Sequence, residues 1–303
     1  GNTMILKPSE QVPLSANRIA EILAEAGLPK GVLNVVHGAQ AAVEAICDHP
    51  GIDAVSFVGS TKVAKIVYQR ATSNLKRALC LGGAKNHLIV LPDANEEMTA
   101  SDVAASMTGC AGQRCMAASA MVAVGKVDAI IDRLCEETKK IIPGKNLGAI
   151  ISQQAKERIE GYIAEAEAQG AKILVDGRNA TVEGKENGYY VGPTVIDFVT
   201  PDMKIAKEEV FGPVLAILRT STLDEAIEIE KNWQRKYEDA LKKYEVAMQA
   251  FAAEKARALK EKKPSPRAPT APRRSRKPHP GHEPVDYPIK LTKVIVTMRP
   301  HIL

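Results

Sequence analysis

Cys115 sits in the run Gly109-Cys110-Ala111-Gly112-Gln113-Arg114-Cys115-Met116, where small residues leave room around a thiol and Arg114 puts a positive charge beside it. The thiolate, not the thiol, is the nucleophile, and a cationic neighbour or a helix N-terminus lowers its pKa. Attack of such a sulfur on a carbonyl carbon leaves an oxyanion that N–H donors must stabilise, and the Cys115 amide is one such donor. Taken alone, the segment also fits an inert core thiol, since free cysteines are mostly buried. Cys110, five residues earlier, invites a redox pairing with Cys115, but the nucleophile is the preferred reading.

Other residues suit a ligand bearing phosphates and hydroxyls. Ser56-Phe57-Val58-Gly59-Ser60-Thr61 carries a strand into Gly-Ser at a helix start. The first N–H groups of a helix are unpaired and its dipole is positive there, so a phosphate can be held with help from the Ser60 hydroxyl. Ser60 as a plain N-cap satisfies the same pattern, and the three-glycine dinucleotide fingerprint is absent. Lys7 and Glu10 follow the first apolar strand, at the end where ligands of parallel sheets gather. They suit either a clasp on ribose hydroxyls or a surface ion pair worth ~0–1 kcal/mol.

The elements that position these residues follow from periodicity. Strands are expected at 3–7, 32–36, 54–58, 88–91, 120–124 and 172–175, with extended pieces at 189–191 and 194–195 and a strand over 210–218 broken by Gly212-Pro213. Helices are expected at 14–26, 41–48, 62–70, 98–111, 129–141, 153–169 and 223–230. Strands alternating with helices over short links are the βαβ pattern of a parallel sheet, so the class is α/β. Three regions result: a nucleotide-binding part over 1–91, a cysteine-bearing part over 92–230, and a basic tail over 231–303.

The net charge of +5 belongs to that tail. From Lys231 to Lys277 there are fifteen Lys/Arg against five Asp/Glu, and without that segment the chain is mildly acidic. Residues 231–262 suit an exposed helix. The eight prolines of 263–288, among many cations, predict disorder, because too little apolar surface is available to offset ordering. Nucleic-acid contact, if made at all, would be confined to this tail. No aromatic interleaving accompanies its charges, so a solvated tail is expected. No stretch approaches the ~18 apolar residues of a membrane helix, and the N-terminus lacks the features of a signal peptide. The five cysteines show neither Cys-x-x-Cys nor zinc spacing, so a reducing compartment, no metal and mostly inert buried thiols are expected.

Leu6-Lys7-Pro8-Ser9-Glu10, Phe57-Val58-Gly59-Ser60-Thr61, Leu81-Gly82-Gly83, Gly112-Gln113-Arg114-Cys115 and Glu208-Glu209-Val210-Phe211-Gly212-Pro213-Val214 occur here in the order found in the aldehyde dehydrogenase superfamily. The chain resembles that superfamily over about 230 residues. Gly83-Ala84-Lys85-Asn86-His87 and Gly112-Gln113-Arg114-Cys115-Met116-Ala117 are most similar to its CoA-acylating branch, the methylmalonate-semialdehyde dehydrogenases. The resemblance implies a partial aldehyde-dehydrogenase fold: an incomplete Rossmann-like NAD domain and an incomplete α/β catalytic domain. It implies NAD as cofactor, with Lys7 and Glu10 on the adenosine ribose, Ser60 on the pyrophosphate, Leu81 beside the cofactor, Glu209 on the nicotinamide ribose and Phe211 near the nicotinamide. Cys115 would be the nucleophile, and Arg114 would take the carboxylate of a malonate or methylmalonate semialdehyde or else only lower the thiol pKa. Hydrolytic members carry a glutamate before Leu-Gly-Gly as the base that activates water; here that place is Cys80. Losing that base, a factor of ~10²–10⁴, implies that coenzyme A accepts the acyl group, giving propionyl-CoA or acetyl-CoA. Cys80 as a second nucleophile is the lesser alternative.

Family members are longer at both ends, so the oxyanion-hole Asn and the oligomerisation arms are expected to lie outside this chain, and the family's homo-oligomer is not expected to carry over. The bacterial cytosol and the mitochondrial matrix both suit this branch. The rival reading is a catalytically inactive nucleotide-binding fragment, or an interaction protein whose basic tail meets nucleic acid or an acidic partner.

Overall fold

A computed structural model describes residues 2–232 and the short strands Arg274–Ser275, Val294–Thr297 and Pro300–Ile302. The helix expected over 231–262 and the disorder expected over 263–288 lie outside the described residues, apart from residues 231–232 and Arg274–Ser275. The described residues contain no helix long and apolar enough to cross a membrane. Two compact units divide at Gly82.

In the first unit β1 (Met4–Leu6) pairs in parallel with β2 (Leu33–Val35), and α1 (Leu14–Glu25) connects them. After α2 (Gln40–Asp48) comes β3 (Ala54–Val58), then α3 (Thr61–Ser73), then β4 (Arg77–Ala84), which pairs in parallel with β3 through Leu81. The core of this unit is Cys47, Val55, Ala64, Val67, Ala71 and Cys80. By contrast α1 buries no residue, and Leu14, Ile19, Ile22 and Leu23 on it are exposed. No strand is expected over β4 from the sequence pattern. Gly82 is strand here because α3 passes over it: a Cβ would come 2.8 Å from Thr61 Oγ1. Glycine inside a strand marks such a close approach.

The second unit is a sheet in the order Val294–Thr297, β5 (His87–Val90), β6 (Ala120–Val124), β9 (Val214–Thr220), β8 (Thr194–Asp197), β7 (Lys172–Val175). Strands β5, β6, β9 and β8 run parallel; β7 and Val294–Thr297 are antiparallel at the two edges. Strand β5, expected in the nucleotide-binding part, therefore belongs to the second unit through its ladder with Ala120–Ala123.

Side chains alternate across this sheet. Met121, Ala123, Leu215 and Ile217 pack under α4 (Glu96–Thr108) and α5 (Asp128–Lys139). Ala120, Val214, Ala216 and Leu218 pack on the other face under α6 (Gln153–Ala168) and α7 (Lys204–Lys207). All five residues of β6 are buried, as expected of a strand covered on both sides. A final helix, α8 (223–232), rests Ala226 against Ile89, Val122 and Val124. His87 Nδ1 meets Glu230 Oε1 at 2.7 Å there, with both side chains buried.

Candidate active site

The Cys115 loop begins where α4 ends. The apolar pattern extends the helix to Ala111, but it stops at Thr108. Gly109 leaves the helix at ψ 128°, and Cys110, Ala111 and Gly112 follow at φ 53°, 54° and 67°. Left-handed backbone costs ~1–2 kcal/mol at a residue with a side chain, so the loop must be held from outside.

It is held at three points. Gly112 lies directly on Gly212: a Cβ on Gly112 would stand 2.0 Å from the Gly212 carbonyl oxygen and 2.7 Å from Pro213 N. The Gln113 side chain donates to Ala149 O at 3.1 Å and accepts from Ile151 N at 2.8 Å. The Arg114 guanidinium folds back over Gly109, where a Cβ would come 2.3 Å from Cζ, and its Nη2 donates to Ser106 O (3.0 Å) and Ala105 O (3.3 Å). A cation on the last carbonyls of a helix is favoured by the dipole.

This arrangement brings four of the expected residues together. Arg114 and Cys115 share the loop, and the Gly112–Gly212 contact presses it against the segment carrying Glu209 and Phe211. Phe211 is itself left-handed, at φ 54°. Tyr162 Oη donates to Glu208 Oε2 at 2.5 Å and fixes that segment from α6. Burial pushes the Tyr162 hydroxyl up to about 12, and the Glu208 carboxylate that accepts its proton adds to the shift.

Cys115 and Cys110 are exposed, whereas Cys47, Cys80 and Cys135 are buried. Accessible Cys115 is nevertheless backed by protein. That partial burial raises its thiol pKa above the ordinary value, the Glu209 carboxylate adds to the rise, and only the residue's own amide opposes it. The expectation that Arg114 lowers this pKa is corrected here. The guanidinium is drawn to the end of α4, and the charge that acts on the sulfur is the negative one of Glu209. These surroundings favour the thiol over the thiolate.

A prediction follows for Glu209→Gln. Removing the negative charge favours the thiolate, so the midpoint of Cys115 alkylation moves to lower pH. The iodoacetamide rate at pH 7, read on the Cys115 peptide by mass spectrometry, rises roughly two- to tenfold. An unchanged midpoint would mean that Glu209 does not act on the sulfur.

Residues 1–234 match the profile described as the aldehyde dehydrogenase family. The chain belongs to the aldehyde dehydrogenase family. Among its relatives is the human mitochondrial, acylating methylmalonate-semialdehyde/malonate-semialdehyde dehydrogenase, 47% identical over 238 residues that cover 77% of this chain and 44% of that protein. Malonate-semialdehyde dehydrogenase 1 of Geobacillus kaustophilus is 49% identical over 233 residues, covering 75% of this chain and 48% of the relative. A Sinorhizobium meliloti structure described as a methylmalonate-semialdehyde dehydrogenase complexed with NAD superposes with a TM-score of 0.71 at 46% identity, covering 76% of this chain and 48% of that one. The chain spans about half the length of the relatives it matches.

The remaining residues that the aldehyde dehydrogenase resemblance singles out lie in the first unit. Lys7 Nζ donates to Gly38 O at 2.9 Å and stands 3.5 Å from Glu10 Oε2. The Glu10 side chain is 58% exposed, so its carboxylate is open to a ligand. Its pKa is lowered by its own backbone N–H and further by Lys7. Ser60 caps α3, with Oγ accepting from Val63 N at 3.4 Å, and its hydroxyl is exposed. Beside it Gly59 is bare backbone, where a Cβ would strike the Phe57 ring at 2.7 Å. A phosphate can approach such a turn closely, so these residues fit a pyrophosphate at a helix N-terminus. Leu81 is half-buried opposite Val58.

Cys80 is wholly enclosed in the core of the first unit, and its thiol is pushed up to about 11 by burial, with Cys47 adding to the shift. A group so placed cannot take a proton from water near neutrality. A glutamate introduced there would have to lose its charge or break the apolar cluster.

Two polar residues of the Gly83-Ala84-Lys85-Asn86-His87 signature lie beside the Cys115 loop. Lys85 and Asn86 are 4% and 5% exposed in the link between β4 and β5. The signal available was a Lys-Asn pair directly before an apolar strand, and burial alone reveals its use.

Proposed function

We propose that this chain carries the chemistry of NAD-dependent, CoA-acylating oxidation of malonate or methylmalonate semialdehyde, with Cys115 as nucleophile. The observation that carries this reading is an exposed thiol on a braced left-handed turn, packed backbone to backbone against the segment bearing Glu209 and Phe211.

Cys115 Sγ, once deprotonated, adds to the aldehyde carbon. The carbon–sulfur bond forms while the carbonyl π pair moves onto oxygen. The Cys115 amide is the one group that favours the thiolate, and its N–H would serve that oxyanion. When bound, NAD supplies the acceptor for the hydride that leaves this carbon, and the product is a thioester on Cys115. Lys7 and Glu10 would hold the adenosine ribose, Ser60 the pyrophosphate, Leu81 would flank the cofactor, and Glu209 and Phe211 would hold the nicotinamide end. Among the described residues Arg114 spends only Nη2 on carbonyls, so Nε and Nη1 remain for the semialdehyde carboxylate.

Cys80 supports CoA rather than water as acyl acceptor. A buried thiol with a pKa of about 11 is no general base, and the lost base is worth ~10²–10⁴-fold. Loss of CO₂ leaves an electron pair on the α-carbon that takes a proton from water. The CoA sulfur then bonds to the acyl carbon as the bond to Cys115 breaks, and Cys115 takes up the CoA thiol proton. Acetyl-CoA or propionyl-CoA is released without a base to activate water.

The test follows NADH absorbance with malonate semialdehyde. Without CoA, one NADH per Cys115 is expected in a burst, followed by a rate lower by roughly 10²-fold or more than with CoA. Equal steady rates with and without CoA would overturn the acylating reading. No NADH in either case, from soluble folded protein, would favour an inactive nucleotide-binding chain.

A further inference from the structure

Asn86 makes an unusual number of bonds to one short segment. Its Nδ2 donates to Cys115 O at 2.6 Å and to Ala117 O at 2.9 Å. Its backbone N donates to Ser119 Oγ at 3.1 Å, that hydroxyl donates back to Asn86 O at 3.1 Å, and Ala120 N donates to Asn86 O at 3.0 Å. The whole exit of the loop, from Cys115 to the start of β6, is therefore fastened to one residue. The two donations of Nδ2 fix which way the amide lies, and they leave Oδ1 buried without a partner among the described residues. A side chain chosen only to fill the core would not leave an acceptor orphaned.

Lys85 extends the fastening to the other half of the site. Its Nζ donates to Ile205 O in α7 at 2.6 Å and approaches Ser119 O at 3.4 Å. Four residues beyond Ile205 comes Glu209, and its carboxylate is the charge that acts on the buried ammonium. A cation in such a place is retained only if its partners compensate it.

We propose that Lys85 and Asn86 are positioning residues: Asn86 sets the backbone of Cys115, and Lys85 ties that backbone to α7 and the Glu209 segment. The pair fixes the distance between nucleophile and cofactor clamp, touching neither substrate nor cofactor. The kinetic part of this proposal rests on the function proposed above; the geometric part does not. Burial pulls the Lys85 ammonium down to about 7, with Glu209 opposing that shift, so its charge depends on the Glu209 segment staying in place.

The test uses Asn86→Ala and Lys85→Met in the full chain, with folding checked by circular dichroism. Three quantities are read: kcat, the KM for NAD, and the ratio of Cys115 to Cys110 alkylation by iodoacetamide. Asn86→Ala is expected to lower kcat on the order of 10²-fold with the NAD KM within about threefold, because a displacement of about 1 Å at the nucleophile is enough. Its alkylation ratio is expected to rise at least about threefold, since Cys115 leaves the setting that raises its pKa. Lys85→Met, which releases Glu209, is expected to raise the NAD KM roughly tenfold or more.

Folded variants with kcat, KM and ratio all at wild-type values overturn the proposal. So does a lower melting temperature with an unchanged ratio, which would assign the pair to the core alone. If Asn86→Ala yields no soluble protein, Lys85→Met decides. A wild-type chain that makes no NADH sinks the proposed function, yet the ratio needs neither NAD nor aldehyde and still tests the positioning.

Discussion

Cys115→Ser is expected to reduce NADH formation from malonate semialdehyde by on the order of 10⁴-fold or more, with NADH binding retained. The size of the effect follows from the role: a nucleophile that becomes covalently bonded has no partial substitute, and a hydroxyl of pKa far above 7 is not ionised by an environment that already disfavours the thiolate. Cys110→Ser is the control. Cys110 is also exposed, but the proposed chemistry gives it no role. Its rate is expected within a few-fold of wild type. Stopped-flow absorbance on both variants, with binding read from NADH fluorescence, makes the comparison. Comparable losses in the two variants would mean that the loop, not the Cys115 sulfur, had been damaged.

Gly112→Ala is expected to be the most damaging change of a single methyl group in the second unit. Two costs add there. An alanine at φ 67° loses ~1–2 kcal/mol to its own backbone. Its Cβ would also lie 2.0 Å from the Gly212 carbonyl oxygen, so one of two backbone segments must move. Together about 3 kcal/mol or more is at stake, a fall in melting temperature of roughly 10 °C for a chain of this size. Gly212→Ala is expected to be milder. The nearest atoms to its Cβ would all belong to the Ile159 side chain, at 2.7–2.9 Å, and a side chain can shift where a carbonyl cannot. Thermal melts followed by circular dichroism give the ranking. The reverse order, or equality, would mean that the contact between the two loops is not where the structure puts it.

That contact also marks the limit of what the sequence could tell. Periodicity located β6 at Ala120–Val124 and β7 at Lys172–Val175 with the bounds observed, and α6 to within a residue. These elements are decided by local apolar patterns and by Ser152, whose hydroxyl caps α6. The end of α4 is decided instead by residues about a hundred positions away. Nothing near Ala111 announces that Gly112 will be pinned by Gly212, so the helix was extended three residues too far. Strand β4 was missed for a similar reason, since Gly82 answers to α3 lying over it. The short α7 was not foreseen either; four residues carry too little pattern.

The sequence names candidate residues by type, but not the electrostatics around them. Cys115, Arg114, Glu209 and Phe211 were all named from their motifs, and the fold gathers them around one loop. The direction of the thiol pKa was misjudged because adjacency in sequence puts Arg114 next to Cys115, whereas the left-handed turn swings the guanidinium back over Gly109. The charge of Glu209, ninety-four positions away, acts on the sulfur in its stead. In the sequence Lys85 and Asn86 enter only through a signature and without a role, because a buried polar pair has no periodicity to betray it. Their partners are mostly backbone carbonyls, which a sequence does not display.

The central claim is that an acyl group passes through the sulfur of Cys115 on its way to CoA. Incubating the chain with malonate semialdehyde and NAD, without CoA, then quenching in acid and mapping peptides by mass spectrometry tests this directly. An acyl adduct on the Cys115 peptide that disappears within seconds of adding CoA, with acyl-CoA formed in equal amount, is the predicted result. NADH released while Cys115 stays unmodified, or an adduct on Cys110 instead, would contradict it.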